Sequence, residues 1–275
     1  FQAEDGIRDR SPSRGLGDVY KRQSQARAQS VAPYWDDDLA SDSTEDALRP
    51  RWHVGLRLGP YTPAIDSQCG DACRSNTPTG PYEAMFGGDA WMPAIDIDRV
   101  LWESFGQVTI GGSAGFMGKS ARPYAAGTVA GADRERVSDQ NRFRLVPLTL
   151  EAAFRLTVLD TRFGIPIVPY VRGGLAYYIW WVEAPGGGVA TVCAGGASCN
   201  ENQARGGSLG VVGSIGVAIR AERIDSEGAA AMREGGILHA GFYAELQGGR
   251  VDDFGIGNKL SVGDLTWFAG INFEF

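Results

Sequence analysis

His53 and His239 are the two histidines of this 275-residue chain. A pair of histidines can act as general acid and base in a hydrolase. Neither lies near a serine or an acidic residue in a recognisable catalytic arrangement. We therefore interpret both as polar side chains that fill the interior of the protein. The sequence predicts no catalytic residue, no cofactor and no metal site.

Four cysteines form two close pairs, Cys69 with Cys73 and Cys193 with Cys199. Both pairs fall in segments without strand periodicity. Because a secreted chain passes through an oxidising compartment, the spacing favours two local disulfides. A zinc site built from all four sulfurs is one alternative, although no histidine lies nearby. Cross-pairing between the two segments is the other.

Charged residues that alternate with apolar ones form a third group. Arg51 to Leu58 sets Trp52, Val54 and Leu56 on one face of a strand, with arginines and His53 on the other. An arginine costs roughly 2–4 kcal/mol at mid-depth in lipid, so the charged face must point inward. The polar residues predicted to face a lumen are His53, Arg57, Glu151, Arg155, Arg172, Arg220, His239 and Glu245; Lys119 and Glu274 share their parity.

Eight segments with a period of two position these residues. They are 51–58, 91–101, 108–119, 144–156, 168–182, 208–221, 237–247 and 261–275. Lipid leaves no partner for an open sheet edge, so strands that face lipid must close into a barrel. The pattern predicts an all-β fold, an eight-stranded antiparallel up-and-down transmembrane β-barrel.

The connections alternate in length. Segments 59–90, 120–143, 183–207 and 248–260 are long or glycine-rich, and 102–107 and 157–167 are shorter. The last, 222–236, is longer and is predicted to hold a short helix at 225–233. Long loops at one rim and tight turns at the other are typical of transmembrane barrels, with both ends of the barrel in the periplasm.

Aromatic residues are predicted to form a girdle at each rim. One girdle holds Trp52, Trp102, Phe273 and Phe275, and the other Trp91, Trp180 and Trp181.

Pro147 lies within a predicted strand of a fold that has no free edge. Because proline removes a hydrogen bond from the ladder, we expect a bulge there.

The final segment resembles the closing strand of a Gram-negative outer-membrane barrel. Gly270, Phe273 and Phe275 match the signal that the barrel-assembly machinery reads, whereas Phe268 stands where a polar residue is usual. The expected location is the outer membrane of a Gram-negative bacterium, with outer-membrane lipid and the barrel-assembly machinery as partners.

A net charge of −7 and a pI near 5.0 argue against nucleic acid as a partner. No extracellular ligand can be named.

Three segments divide the chain. Residues 1–23 resemble a translated sequencing-adapter contaminant. Residues 24–50 are interpreted as a signal-peptide stub that ends near Ala26-Arg27-Ala28, followed by a flexible acidic leader. Residues 51–275 form the predicted barrel.

Several short motifs resemble an uncharacterised outer-membrane β-barrel family of myxobacteria and their relatives. They are Gly59-Pro60-Tyr61, Pro81-Tyr82, Phe86-Gly87, Val168-Pro169-Tyr170, Gly174 to Tyr178, Trp180-Trp181 and Phe242 to Leu246. The resemblance covers about 51–275 and implies a small barrel without an assigned activity.

The functional expectation is a non-enzymatic, porin-like outer-membrane barrel of structural or surface-interaction type. A lipid-modifying enzyme and a small-solute channel are the alternatives. An interior of eight strands is just wide enough for its own side chains, which argues against a diffusion pore. A soluble lipocalin-like barrel is a third alternative, and it would turn its apolar face inward.

Overall fold

The computed structural model describes residues 49–74, 79–124, 135–191, 203–223, 226–256 and 259–275. The predictions for the adapter-like segment, for the signal-peptide stub and for nearly all of the acidic leader lie outside these residues. So does the predicted pairing of Cys193 with Cys199.

Nine β-segments form one closed antiparallel sheet. They are β1 (Trp52–Tyr61), β2 (Ala90–Glu103), β3 (Gln107–Gly115), β4 (Met117–Ala121), β5 (Asn141–Arg155), β6 (Ile167–Glu183), β7 (Arg205–Arg220), β8 (His239–Val251) and β9 (Leu265–Glu274). Apart from β3 and β4, which do not pair with each other, consecutive segments are paired; β9 pairs with β1, and both β3 and β4 pair with β5. Since β3 and β4 lie end to end beside β5, they are the two halves of one strand. The predicted eight-stranded up-and-down barrel is confirmed.

The break between β3 and β4 lies opposite Pro147. Leu148 pairs with Ala114 on one side of the break and Leu145 pairs with Met117 on the other, so the register does not change. The bulge expected at Pro147 is therefore wrong. The proline only interrupts the ladder, because it has no N–H to donate. A register shift occurs instead in β2, between Val100 and Trp102.

The two ends of the barrel differ. At the short-loop end, 104–106 joins β2 to β3, a turn containing α3 (Val158–Phe163) joins β5 to β6, and a turn containing Ala221–Arg223 and α4 (Ser226–Glu234) joins β7 to β8. At the long-loop end, the β1–β2 connection carries a 3-10 turn (Ala64–Gln68), α1 (Asp71–Arg74) and α2 (Pro81–Phe86), and the β8–β9 connection carries a 3-10 turn (Asp253–Gly255). The helix expected at 225–233 is thus present as α4. No helix in the described ranges is long and apolar enough to cross a membrane.

Side chains alternate between the two faces of the wall, except at the register shift in β2. On β6, Arg172, Ala176 and Tyr178 are buried inside, whereas Val171, Leu175 and Tyr177 are about half exposed outside. The period of two follows from the pleat, which sends successive Cβ atoms to opposite faces. Glycine makes room for large inward side chains: a Cβ added at Gly216 would lie 2.5 Å from Cζ of Tyr170.

β9 closes the ring between β1 and β8. Gly270 lies between Arg57 and Tyr243, and the outward-facing Phe273 and Phe275 lie at the short-loop end. Phe268 is fully buried inside, with the Arg57 guanidinium 4.7 Å from its ring centroid. Its departure from the closing signal therefore has a packing reason in this lumen.

Candidate functional site

Ion pairs fill the lumen at the short-loop end. Glu274 lies between the two histidines in the register, opposite His53 on β1 and His239 on β8. Nδ1 of His53 is 3.5 Å from Oε1 of Glu274, and His239 hydrogen-bonds to Glu222. Both rings thus have carboxylates as their charged neighbours.

Arg220 joins this group to the turn outside the sheet. Its Nη1 donates to Oδ2 of Asp160 at 2.6 Å, and its Nη2 donates to Oε2 of Glu274 at 3.1 Å. Asp160 belongs to α3 and is buried. A helix of the β5–β6 turn therefore supplies one carboxylate of the lumen.

Arg172 lies at the centre of the lumen. Its guanidinium nitrogens are each 3.4 Å from a carboxylate oxygen of Asp96, Asp98 and Glu151. Nη2 of Arg155 is 3.6 Å from Oδ2 of Asp98. All five side chains are buried. Mutual pairing is what permits them to stay charged away from water.

Arg57 forms the next layer toward the long-loop end. It pairs with Glu245, lies 3.5 Å from Asp96, and donates to Gln247 at 3.0 Å and to Ser113 at 3.1 Å. The Tyr170 hydroxyl donates to Glu245 at 2.9 Å, and that of Tyr243 donates to Asp96 at 2.8 Å. We call the residues of these two layers the lumen network: Arg57, Asp96, Asp98, Glu151, Arg155, Tyr170, Arg172, Tyr243 and Glu245.

The eight residues predicted to face the lumen differ in burial. Seven are buried within the barrel, and His239 lies partly exposed at its short-loop end. Asp160 and Tyr170 were missed, whereas the strand pattern places Asp96, Asp98 and Tyr243 on inward faces without identifying them as partners. Asp96 and Asp98 alternate with the outward-facing Ile95 and Ile97, and this parity is what places them inside. Asp160 carries no such signal, because it lies in a helix.

The lumen network leaves almost no free space. A cavity of about 10 Å³ remains between His53, Asp98, Arg155 and Arg172, about enough for a single water. In the described part of the chain, no group of three or more His, Cys, Asp or Glu side chains is arranged to hold a metal ion.

An apolar plug closes the lumen toward the long-loop end. Its large buried members are Tyr61, Tyr82, Met92, Met117, Phe143, Leu145, Tyr178, Val212, Val251, Val262 and Phe268. Tyr61 and Tyr178 have ring centroids 6.4 Å apart, and the Tyr61 hydroxyl donates to the Val262 carbonyl oxygen at 2.5 Å. Charged side chains therefore fill the half of the barrel toward the short-loop end, which we call the lower half. Apolar side chains fill the upper half, toward the long-loop end.

The β1–β2 connection covers the plug. Tyr82 of α2 packs edge-on to Phe143 with a centroid distance of 5.7 Å, and burial raises its pKa above the usual range. The Asp66 carboxylate accepts the backbone N–H groups of Tyr82 at 2.7 Å and Glu83 at 2.9 Å, which fixes the start of α2. Gln68 donates to the Lys259 carbonyl oxygen at 2.7 Å and accepts from the Ser261 N–H at 2.9 Å.

Cys69 and Cys73 form a disulfide within this connection, across a separation of four residues. Both alternatives for the four cysteines are therefore wrong. A bonded cysteine offers no thiolate to zinc, and Cys69 and Cys73 pair with each other rather than with the second pair.

The aromatic girdles differ from the prediction at two residues, Trp267 and Trp180. Trp91 is exposed at the long-loop end and contacts Trp267, which the sequence interpretation had left out, with centroids 6.3 Å apart. Trp181 has the outward parity of Tyr177. Trp180 has the opposite parity and packs against the apolar plug, so its place in the girdle was wrong.

No protein-family model matches the chain, and no curated protein matches it. Among solved structures, Neisserial surface protein A is 11% identical over 82% of this chain and 97% of that chain, with a TM-score of 0.39. The outer membrane protein OprG from Pseudomonas aeruginosa is 9% identical over 82% and 96%, with a TM-score of 0.43. The attachment invasion locus protein Ail of Yersinia pestis is 9% identical over 82% and 97%, with a TM-score of 0.36. The fold assignment rests on the strand pairing of this chain itself.

Replacing Arg172 should destabilise the barrel strongly. Arg172→Met leaves Asp96, Asp98 and Glu151 without their shared cation, and an uncompensated buried charge costs roughly 3–5 kcal/mol. Urea unfolding in lipid vesicles measures the loss. Arg233→Met, on the exposed side of α4, is the matched control and should change stability by less than about 0.5 kcal/mol. Equal effects of the two substitutions would contradict the central role of Arg172.

The Glu222–His239 pair should make the short-loop end sensitive to acid. Burial acts to raise the pKa of Glu222, but its hydrogen bond with His239, a backbone hydrogen bond and the nearby charges of His239 and Arg220 together outweigh burial, so the pKa lies below the ordinary 4.5. The pair therefore stabilises the adjoining turn and α4 above about pH 4.5, and this stability is lost as the pH falls through the lowered pKa. Hydrogen exchange of the α4 amides should accelerate there. In Glu222→Gln the acceleration should disappear; if it persists, the pair is not its cause.

Proposed function

We propose that the chain is an integral outer-membrane β-barrel with a sealed lumen and a structural or surface-interaction role. The observation that carries this proposal is a continuous apolar exterior around a charged interior. It is the distribution required of a barrel that has lipid as its outer solvent.

The exterior band is free of charge between the two ends of the barrel. In the described strands, outward-facing charged residues lie only near those ends: Arg99 toward the short-loop end, and Arg142, Arg144, Glu183, Arg205 and Arg250 toward the long-loop end. Between them the exposed side chains include Leu56, Ile97, Leu150, Leu175 and Ile215.

The height of the band suits a bilayer. On β6 it extends from Ile167 to Ile179, both exposed. At about 3.3 Å per residue and a tilt near 40°, this is roughly 30 Å, comparable with the roughly 25 Å band of outer-membrane barrels. At the short-loop end, Trp52 lies 5.0 Å from the Arg99 guanidinium, and Trp102 lies 5.5 Å from Phe105. These contacts suit an interfacial girdle.

The lumen supports the sealed form of the proposal. A soluble lipocalin-like barrel would carry its apolar face inward, whereas the middle of this lumen holds paired charges. A channel would need a path through both the lumen network and the apolar plug. Among the described residues those two layers fill the cross-section, which supports a structural role over a small-solute channel.

We also propose that the chain is not an enzyme. The described residues place both histidines near the short-loop end, in contact with carboxylates. A lipid-modifying enzyme would need a base and a nucleophile together at the other rim, where the Thr62 hydroxyl instead donates to Asp89. Loss of lipid hydrolysis in a His53→Ala, His239→Ala variant would overturn this proposal.

The remaining partners are proposals of the same kind. Assembly by the barrel-assembly machinery is supported by the exposed Phe275 and outward-facing Phe273 at the end of β9. Kinship with the myxobacterial barrels is supported by the structural use of the shared motifs, since Tyr61 and Tyr178 form the apolar plug. Sequences of that family without these two tyrosines would count against the kinship.

Membrane placement predicts a depth-dependent penalty for arginine. Leu175 lies midway along β6 and is half exposed, and Ile167 lies at the start of the strand. Leu175→Arg should cost roughly 2–4 kcal/mol of stability in vesicles, and Ile167→Arg roughly 0–1 kcal/mol. Heat-modifiable gel migration and urea unfolding report assembly and stability.

The control is Leu175→Met, which keeps the volume and should assemble normally. Equal tolerance of arginine at both positions, or a wild-type protein that stays monomeric in water without detergent, would contradict the membrane placement.

A sealed lumen predicts no stable conductance in planar bilayers. Discrete openings of the wild-type barrel would favour the channel alternative. The sharper comparison uses Tyr61→Ala combined with Tyr178→Ala, which removes two rings of the apolar plug but leaves the lumen network. This variant should also remain closed, because the ion pairs still fill the lower half.

A further inference from the structure

Three arginines lie on the exterior of the barrel at its long-loop end, next to one tryptophan. Trp181 pairs directly with Arg144 on β5 and with Arg205 on β7, so the three side chains follow one another across adjacent strands. Arg142 is two residues from Arg144, on the same face, and lies opposite Glu183 of β6 in the strand register. Direct cross-strand partners have Cβ atoms about 5 Å apart, so these groups form one patch.

The patch is basic in an acidic protein. Among the described residues, its three guanidinium groups face one carboxylate, that of Glu183, which gives this patch a net charge of +2 in a chain of net charge −7. Glu183 is shared between Arg144, at 3.3 Å, and the Trp181 indole N–H, also at 3.3 Å. Arg205 is exposed, and in the described ranges no carboxylate lies within ion-pair distance of it. The patch therefore has cationic capacity beyond what its own acid neutralises.

A groove opens beside the patch. It has a volume of about 470 Å³ and lies at the rim, lined by the outward-facing Ile179, Trp181 and Arg205, by Trp180 and Gly206 of the opposite parity, and by Val189 of the following loop. We call this surface, together with Arg142 and Arg144, the Trp181 groove. Its volume lies within the range of small-ligand sites, and its walls are apolar with one guanidinium at the edge. Such a surface is complementary to an amphiphile with an anionic group.

The position of the groove selects the kind of amphiphile. Ile179 is the last exposed aliphatic residue of β6 before Trp181, and Val146 and Leu148 continue the apolar exterior below Arg144 on β5. The guanidinium groups thus lie where the apolar band ends, at the depth of lipid headgroups. Arginine forms charge-assisted, bidentate hydrogen bonds with phosphate oxygens.

We propose that the Trp181 groove binds the phosphate-bearing headgroup of a lipid in the leaflet at the long-loop end, with acyl chains running down over Ile179 and Leu148. This inference rests on the proposed membrane placement. Arg205 and Arg144 contact the phosphate, and Trp181 packs against the junction between headgroup and chains.

The experiment compares lipid retention by the full chain and its variants. Wild type is assembled in phosphatidylcholine nanodiscs that contain a small fraction of diphosphoryl lipid A, and bound lipid A is counted by native mass spectrometry after release into detergent. Arg205→Gln should lower the affinity roughly five-fold, and Arg205→Gln with Arg144→Gln should lower it further. Arg205→Gln alone keeps the test valid if the double variant fails to assemble, because Arg205 is exposed and supports no buried carboxylate.

Arg250→Gln is the matched control. Arg250 is another exposed outward-facing guanidinium at the long-loop end, but it lies on β8 and is held by Asp252 at 3.0 Å. Its removal should leave lipid A affinity within two-fold of wild type. An equal loss in both variants would mean that general surface charge, not the Trp181 groove, attracts the lipid, and would overturn the proposal.

Two further arms identify the source of the phosphate. Dephosphorylated lipid A should be retained equally by wild type and Arg205→Gln; a difference there would assign the groove to the sugar or chains. Excess inorganic phosphate should not displace lipid A, and displacement would make a soluble anion the ligand. Heat-modifiable migration is recorded for every variant. An inserted barrel with unchanged lipid A affinity in Arg205→Gln refutes the groove alone, whereas a wild type that does not insert refutes the membrane placement.

Discussion

The exclusion of charge from the barrel exterior is the constraint on which this structure depends. An arginine that faced lipid in the middle of the band would cost several kcal/mol, so every mid-strand charge lies inside. Once inside, each charge needs a partner, because an isolated buried ion is far more costly than a paired one. Arg172 satisfies three carboxylates at 3.4 Å, and Arg57 is held by Glu245, Gln247 and Ser113. The pattern of the wall and the composition of the interior thus have one origin.

The interior changes character along the barrel axis, and Arg57 lies at the transition. Its guanidinium pairs with Glu245 below and lies 4.7 Å from the Phe268 ring above. Ion pairs are directional and set fixed distances between strands, whereas the apolar plug packs by shape. The first outer connection then covers the plug, with Tyr82 packed on Phe143. Layering of this kind gives the two rims different stabilities, since the short-loop end depends on carboxylates and the long-loop end on packing and loops.

The sequence was sufficient to predict the strands of the barrel wall and which way their side chains face. It was insufficient to predict which side chains meet in the lumen or how the loops pack. Alternation predicts the strands and the facing of Arg57, Glu151 and Arg172, because a pleated strand offers only two directions. It does not predict which inward charges meet, as partners such as Arg172 and Asp96 are 76 residues apart. Asp160 was missed because its helix has no such parity, and Trp180 was misplaced because consecutive tryptophans at a rim must point to opposite faces. The bulge predicted at Pro147 was wrong because a proline can remove a backbone hydrogen bond from the ladder without shifting the register of the two strands. The covering connection and the Trp181 groove arise from contacts between strands and loops that no local pattern records.

Gln68 bridges the first and last long loops with two hydrogen bonds, one to the Lys259 carbonyl oxygen and one from the Ser261 N–H. These loops adjoin β1 and β9, the two strands whose pairing seals the ring. The amide therefore acts as a latch that ties the loop after β1 to the loop before β9, on the two sides of the seam. If β1 and β9 separated from the long-loop end, the two Gln68 hydrogen bonds would have to break before the backbone hydrogen bonds between the strands.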